Sequence, residues 1–312
     1  MLVLTGVTGG LGSVVLTTIL DQKLVSPESL RISSYSSKGP LLDRAKAAGI
    51  EIRHGDITKP ETLDDSYNGA DALFLVSYPS VGEERFKYHK IAIDAAKKAG
   101  VKHILYTSLT WGGPEGESSV SGVFQAHLKT TNYLKETGLD WTIIREPTYA
   151  HLWNNLAGFL SLDTTGDFDV VISNDGPHHF ANRKELGEAT AKIVANWQDY
   201  AGKMINLTGP HPFTVEEIVK MYAEYSGRNI TVRKVGAKEA VAYHKQHNSV
   251  PPEQQDFLSN WASWGEGLAL GEAGYVDPTF EKLLGRPPKD IVDQKDELFS
   301  AQTNFLDTKD FV

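Results

Sequence analysis

Met1-Leu2-Val3-Leu4-Thr5-Gly6-Val7-Thr8-Gly9-Gly10-Leu11-Gly12 opens the chain, and its reading decides the fold. Leu2 to Thr5 read as a short buried strand, and glycines fall at positions 6, 9 and 12. From Ser13 onward Val14, Val15, Leu16, Ile19 and Leu20 recur at helical spacing. Strand, glycine turn and helix make the first half of a βαβ dinucleotide site. The glycines let the backbone turn sharply with positive φ. They also let a pyrophosphate approach the N–H groups at the helix start, where the dipole favours an anion. Gly-x-x-Gly-x-x-Gly by itself is a weak signal; set directly after an apolar strand it becomes a fairly strong one.

The βα rhythm continues outward from that turn. Leu30 to Ser34 reads as a second strand, and Tyr35-Ser36-Ser37-Lys38-Gly39-Pro40 follows where an adenine ribose would lie. An NAD site usually places an acidic residue here for the 2′-hydroxyl. Between Glu28 and Asp43 there is none; Ser33, Ser34, Ser36, Ser37 and Lys38 offer donors to a 2′-phosphate instead, which favours NADP. Ile50 to Arg53 is the third strand, and beyond it Asp56 either accepts from an adenine amino group or caps the helix that begins near Pro60. Asp71 to Val76 is a fully buried fourth strand, Arg85 to Ala99 a helix, and Lys102 to Ser108 a fifth strand. Five strands alternating with helices specify an α/β fold with a doubly wound parallel sheet.

Composition narrows the function classes. The 312 residues suffice for one large or two modest domains, and a net charge of -9 disfavours a nucleic-acid surface. No cysteine is present, so disulfides, thiolate catalysis and thiolate metal sites are excluded. The chain enters a strand at once with no secretory h-region, and no apolar run approaches the roughly 20 residues that span a bilayer. The expectation is a cytoplasmic protein with no membrane partner, and a homodimer is one arrangement this reading admits.

The rhythm breaks after residue 150, so the expected division is a Rossmann domain over 1–150 and a smaller mixed α/β substrate domain over 151–312, part of which returns to the Rossmann sheet. Strands are expected at 168–172, 204–207 and 230–235, and helices at 183–197 and 215–226, the last capped by Thr214 and ended by Gly227. His178 and His179 are adjacent on an extended segment, point to opposite faces and do not form a metal pair. Trp261 and Trp264 read first as core, or else as a flat wall for an aromatic substrate. Trp111 and Trp153 are better placed for that wall, near the carboxyl ends of strands five and six. The last dozen residues set Phe305, Leu306, Phe311 and Val312 among charges, the pattern of a partly ordered tail or of a partner-docking strip.

Three stretches carry a family resemblance: Gly6-Val7-Thr8-Gly9-Gly10-Leu11-Gly12, the run from Ala96 to Leu109, and Thr142-Ile143-Ile144-Arg145-Glu146-Pro147. They resemble the NmrA-like atypical short-chain dehydrogenases, and within these the quinone reductase and triphenylmethane-dye reductase branch. The resemblance implies an NADPH-binding Rossmann domain with the nicotinamide in a cleft against a small C-terminal domain. Carried over by position, Gly6, Thr8, Gly9, Gly10, Leu11 and Gly12 would hold the pyrophosphate. Ser34, Tyr35, Ser36 and Lys38 would surround the 2′-phosphate, although relatives often carry an arginine in place of Ser34. Asp56 and Ile57 would border the adenine, and Val76, Ser77 and Tyr78 the ribose. Thr107 and Ser108 would line the nicotinamide side, and Pro147 and Tyr149 would close over it.

Ordinary short-chain dehydrogenases use Tyr-x-x-x-Lys, in which the tyrosine protonates the carbonyl and the lysine lowers its pKa. In the family register this chain has Val123 and His127 at those two positions, so the dyad is absent. His127 is the first candidate for a catalytic residue beside the nicotinamide, as ribose ligand or proton donor, against the alternative of a satisfied helix histidine. Tyr78, Tyr149 and His151 are the other candidate donors. The expected function is an NADPH-dependent oxidoreductase that passes hydride to a small conjugated acceptor, a quinone, enone, imine or dye. The rival is a non-catalytic NADP(H)-sensing regulator that binds a protein partner.

Overall fold

The computed structural model describes residues 1–80, 82–163 and 165–300; the tail with Phe305, Leu306, Phe311 and Val312 lies outside them. The first part runs β1 (Leu2–Leu4), α1 (Gly10–Gln22), β2 (Leu30–Ser34), α2 (Pro40–Ala47), β3 (Glu51–His54) and α3 (Leu63–Tyr67). It continues β4 (Ala72–Leu75), α4 (Glu83–Lys98), β5 (His103–Leu109), α5 (Gly122–Glu136) and β6 (Asp140–Glu146). Helix α1 starts three residues before the expected Ser13, because the glycine turn itself supplies the first helical turn.

The strands form one parallel sheet of seven in the order β3-β2-β1-β4-β5-β6-β10. Its seventh strand, β10, is Lys203–Asn206. This is the doubly wound order, in which the chain reverses direction after β3 and leaves a crevice at the carboxyl ends of β1 and β4. Alternation along β1 sends Leu2 and Leu4 to one face and Val3 to the other. Leu2 and Leu4 pack with Val15 and Ile19 of α1 and Leu186 of α7 (Arg183–Ala195); Val3 packs with Leu63, Ile93 and Ile104. The central strands β1 and β4 are covered on both faces, so all their side chains are apolar and buried, whereas the edge strand β3 is partly exposed.

The remaining elements are β7 (Thr148–Tyr149), α6 (Trp153–Leu156), β8 (Phe168–Ile172), β9 (Phe180–Ala181), α8 (Val215–Ser226), β11 (Ile230–Lys234), α9 (Ala237–Gln246), α10 (Leu258–Ala269), α11 (Thr279–Leu284) and α12 (Lys295–Ser300). They enclose a third core around Trp153, Phe159, Tyr222, Trp261 and Phe299, with β8 and β11 paired in parallel. Thr214 and Glu217 form a reciprocal capping box on α8, and Gly227 ends it in the left-handed region at φ 69°. Among the described residues no helix is long and apolar enough to cross a membrane.

Candidate functional site

Two cavities lie along the carboxyl edge of the sheet. The larger, about 710 Å³, is walled by Gly6, Thr8, Gly9, Gly10, Leu11 and Gly12, by Ser33, Ser34 and Tyr35 after β2, by Gly55 to Thr58 after β3, and by Val76 to Pro79 after β4. Gly9 caps α1 with extended backbone and no side chain, so the amides of the first turn face open space. Gly6 sits at φ 66° with Val76 packed where its Cβ would be, 2.6 Å away. A wide cavity ending on uncapped helix amides suits a dinucleotide diphosphate, and when bound an NADP(H) would supply two-electron hydride chemistry.

The second cavity, about 60 Å³, is lined by Thr107, Ser108 and Leu109 of β5 and by Glu146, Pro147, Thr148 and Tyr149 at the end of β6. Val123 and His127 of α5, Arg85 of α4, Trp111, Leu152, Phe257 and Trp264 complete it. Ser77 lines both cavities and joins them. The Trp111 and Trp264 rings stack at 5.5 Å with 28° between planes.

The structure therefore gathers most of the residues expected at a site into one continuous crevice, with four differences, the first being that His151 lines neither cavity. Ser36 and Lys38 lie outside the lining, because the Ser36 hydroxyl accepts from the Lys38 amide at 3.1 Å and closes an exposed turn. Tyr78 borders the larger cavity rather than the smaller, with its ring against Tyr88 at 4.5 Å. Trp153 is core: it is 1% exposed and its indole donates to the Leu298 carbonyl at 3.4 Å. Trp261 is likewise core, donating to the Asn155 carbonyl at 2.9 Å, whereas Trp264 and Trp111 face the small cavity. Asp56 caps no helix; its carboxylate accepts from the Thr58 amide at 2.9 Å and the Thr58 hydroxyl at 2.6 Å while bordering the large cavity. His178 and His179 turn to different carbonyls, of Gly176 and Tyr275, and among the described residues no cluster could hold a metal ion.

His127 is not free to donate. Its Nε2 accepts from Arg85 Nη1 at 2.6 Å, which leaves the ring proton on Nδ1, facing the Tyr106 hydroxyl at 2.8 Å. His89 is held the same way: Nε2 accepts from the Tyr78 amide at 2.8 Å, so Nδ1 donates to Thr130 at 2.8 Å. Burial, and then the nearby Arg85 cation, hold both imidazoles well below the ordinary histidine range. Both ring nitrogens of His127 are thus engaged, one by Arg85 and one by Tyr106.

Arg85 and Glu146 are functional candidates that the sequence reading did not single out. Arg85 is 2% exposed; its Nε donates to the Tyr78 carbonyl at 3.1 Å and Nη1 to His127, and among the described residues Nη2 has no partner and no carboxylate pairs with it. Burial lowers its pKa to about 10, yet it stays a cation at neutral pH. Arg145, equally buried, is the opposite case. Its five donors reach the carbonyls of Leu109, Trp111, Gly113 and Pro114 and the Asn206 amide oxygen. Arg145 is a clamp on the loop after β5. Arg145→Met is expected to orphan these acceptors and lower unfolding free energy by about 3 kcal/mol or more, at about 1–3 kcal/mol per buried orphan; a urea midpoint unchanged from the parent would refute the clamp.

A protein-family model described as the NmrA-like family matches residues 1–251. An NmrA-like family domain-containing oxidoreductase of Aspergillus flavus is 31% identical over 297 residues, 93% of each chain. Among solved structures, an Escherichia coli NADPH-dependent quinone oxidoreductase complexed with NADPH superposes with a TM-score of 0.80 at 25% identity, covering 96% of this chain and all of that one. A Citrobacter triphenylmethane reductase complexed with NADP(H) shares the fold, with a TM-score of 0.77 at 24% identity over 96% of this chain and 100% of that one.

Proposed function

The chain belongs to the NmrA-like family, and we propose that within it this protein reduces a small, flat, conjugated acceptor such as a quinone, enone or imine. The chain is an NAD(P)H-dependent oxidoreductase of the atypical short-chain dehydrogenase type. The observation that carries the finer reading is the junction at Ser77. A dinucleotide whose diphosphate rests on Gly9 to Gly12 reaches past Ser77 into the small cavity, where Trp111, Trp264 and Tyr149 offer flat walls to an acceptor. NADPH is preferred over NADH, because Ser34 and Tyr35 border the cavity after β2 and the one carboxylate in its lining, Asp56, follows β3 and is turned onto Thr58. Thr8, Ile57, Val76 and Tyr78 border the same bed, and Thr107, Ser108 and Pro147 border the nicotinamide end.

Fluorescence titration tests this reading. NADPH should bind at least tenfold more tightly than NADH and be oxidised once a quinone, enone or imine is added. His127→Ala should cut turnover by about 10²-fold through misplacement of Arg85, while changing NADPH affinity less than threefold. NADP bound as tightly as NADPH, with no acceptor reduced, would support a redox-sensing regulator instead.

A further inference from the structure

A buried cation and a buried carboxyl line the small cavity without being paired to each other or to any other ion among the described residues. Glu146 is 3% exposed. Its Oε1 accepts from the Thr190 hydroxyl at 3.2 Å and its Oε2 from the Tyr149 hydroxyl at 3.4 Å, so both protein contacts donate to it. Arg85 keeps Nη2 without a partner in the same cavity. An uncompensated buried cation is costly and a buried carboxyl keeps its proton, so a ligand with an anionic group for the one and a basic atom for the other suits both.

We propose that the acceptor is an imine carrying a carboxylate, an imino acid, whose carboxylate docks on Arg85 and whose nitrogen takes a proton from Glu146. This rests on the reductase reading above and narrows its acceptor class. The imine carbon takes the hydride that NADPH supplies, the C=N electron pair moves onto nitrogen, and nitrogen keeps the Glu146 proton; the products are an amino acid, NADP⁺ and a Glu146 carboxylate that solvent reprotonates.

Three features fit this assignment. Burial pushes the Glu146 carboxyl up to about 8, so at neutral pH it holds a proton to give. Among the described residues its carboxyl meets only the Thr190 and Tyr149 hydroxyls, so that proton is committed to no carbonyl or carboxylate. After transfer the iminium faces a carboxylate among the Trp111, Trp264 and Tyr149 rings, whose faces attract cations. The Tyr149 hydroxyl, 3.4 Å from Glu146, lines the same cavity as Arg85, and the small volume of that cavity, about 60 Å³, suits a small ring rather than a long chain. Arg183 and His151 also approach Tyr149, from the side of the glycine turn.

The test compares piperideine-2-carboxylate, unsubstituted piperideine and a benzoquinone as acceptors on the full chain, with Glu146→Gln, Arg85→Met and Arg85→Lys. In the wild type, kcat/KM for the carboxylated ring should exceed that for the bare ring at least 100-fold. Arg85→Met should level the two, and Arg85→Lys should restore part of the preference. Glu146→Gln should lower carboxylated-imine reduction at least 100-fold and remove the fall in rate as pH rises through 8. Quenching of tryptophan emission by the carboxylated ring, without NADPH, should need at least tenfold more ligand in Arg85→Met. NADPH affinity within threefold of wild type shows that each variant is folded. Quinone reduction without imine reduction, or a Glu146→Gln enzyme with the parental rate and pH profile, overturns the proposal while leaving the reductase reading standing. Failure to bind NADPH, or to reduce any acceptor, removes both.

Discussion

Gly12→Val is expected to abolish NADPH binding, with affinity lost by at least about 100-fold, or about 2.7 kcal/mol. A Cβ at position 12 would stand 2.2 Å from the Gly6 oxygen, 2.7 Å from its carbonyl carbon and 3.0 Å from the Val7 Cα. All three are backbone atoms, so no rotamer change relieves the clash. Gly6 cannot yield, because it is held at φ 66° against Val76. The turn must open, and the amides at the start of α1 then leave the place where a diphosphate would be cradled. Gly236→Ala is the matched control: its Cβ meets nothing within 4 Å, its φ is -67°, and its affinity should match the parent's. A Gly12→Val protein that binds NADPH within threefold of wild type would show that the glycine turn is not the diphosphate site.

That turn was legible in the sequence because everything it does is local. One strand, three glycines at fixed spacing and one helix lie within 22 residues, and the parallel sheet follows from the repeated alternation. The small cavity was legible only in part, because its walls come from residues 77 to 264 and their meeting is a tertiary fact. His127 could be found by register, but its role could not: the hydrogen bond from Arg85, 42 residues away, decides which nitrogen carries the proton. A signal for Arg85 was present all the same. Arg85 and His89 share the buried stripe of α4 with Ala92, Ile93 and Ala96, and a cation at a core position of an amphipathic helix asks for a reason. Glu146 ends the buried run Thr142 to Arg145 in the same way. The four tryptophans show the limit most clearly. Nothing in the local pattern separates Trp264, three residues after Trp261 on α10, as the one that reaches the cavity.

The protein should also lose stability on acidification, for reasons found in the same buried histidines. Unfolded histidine titrates near 6.5. In the native state His89 and His127 lie well below that value, and burial lowers His178 to about 3 and His179 to about 4. Geometry agrees for the first two: protonated Nε2 would point at the Tyr78 amide in one case and at the Arg85 guanidinium in the other. The unfolded chain therefore binds protons that the native chain refuses once pH falls below 6.5. Stability present above 6.5 is lost on acidification, each histidine contributing about 1.4 kcal/mol per pH unit. Glu146 has the opposite sign. Its folded pKa of about 8 lies above the unfolded 4.5, so its contribution is present at low pH and lost as pH rises through 8. Between 6.5 and 4.5 it offsets one histidine, so these five groups leave a net uptake of about three protons and a slope of about 4 kcal/mol per pH unit, to which His103 and His244, also lowered by burial, add. Against a typical stability of about 5–15 kcal/mol, that slope places acid unfolding between about pH 5 and about pH 3. Urea unfolding followed by circular dichroism at pH 7, 6 and 5 measures the slope, and His89→Gln, which keeps an acceptor for the Tyr78 amide, should reduce it by one proton. Equal stability at pH 7 and pH 5 would mean that these imidazoles take up protons without leaving their places, and the tautomers assigned to His89 and His127 would then be wrong.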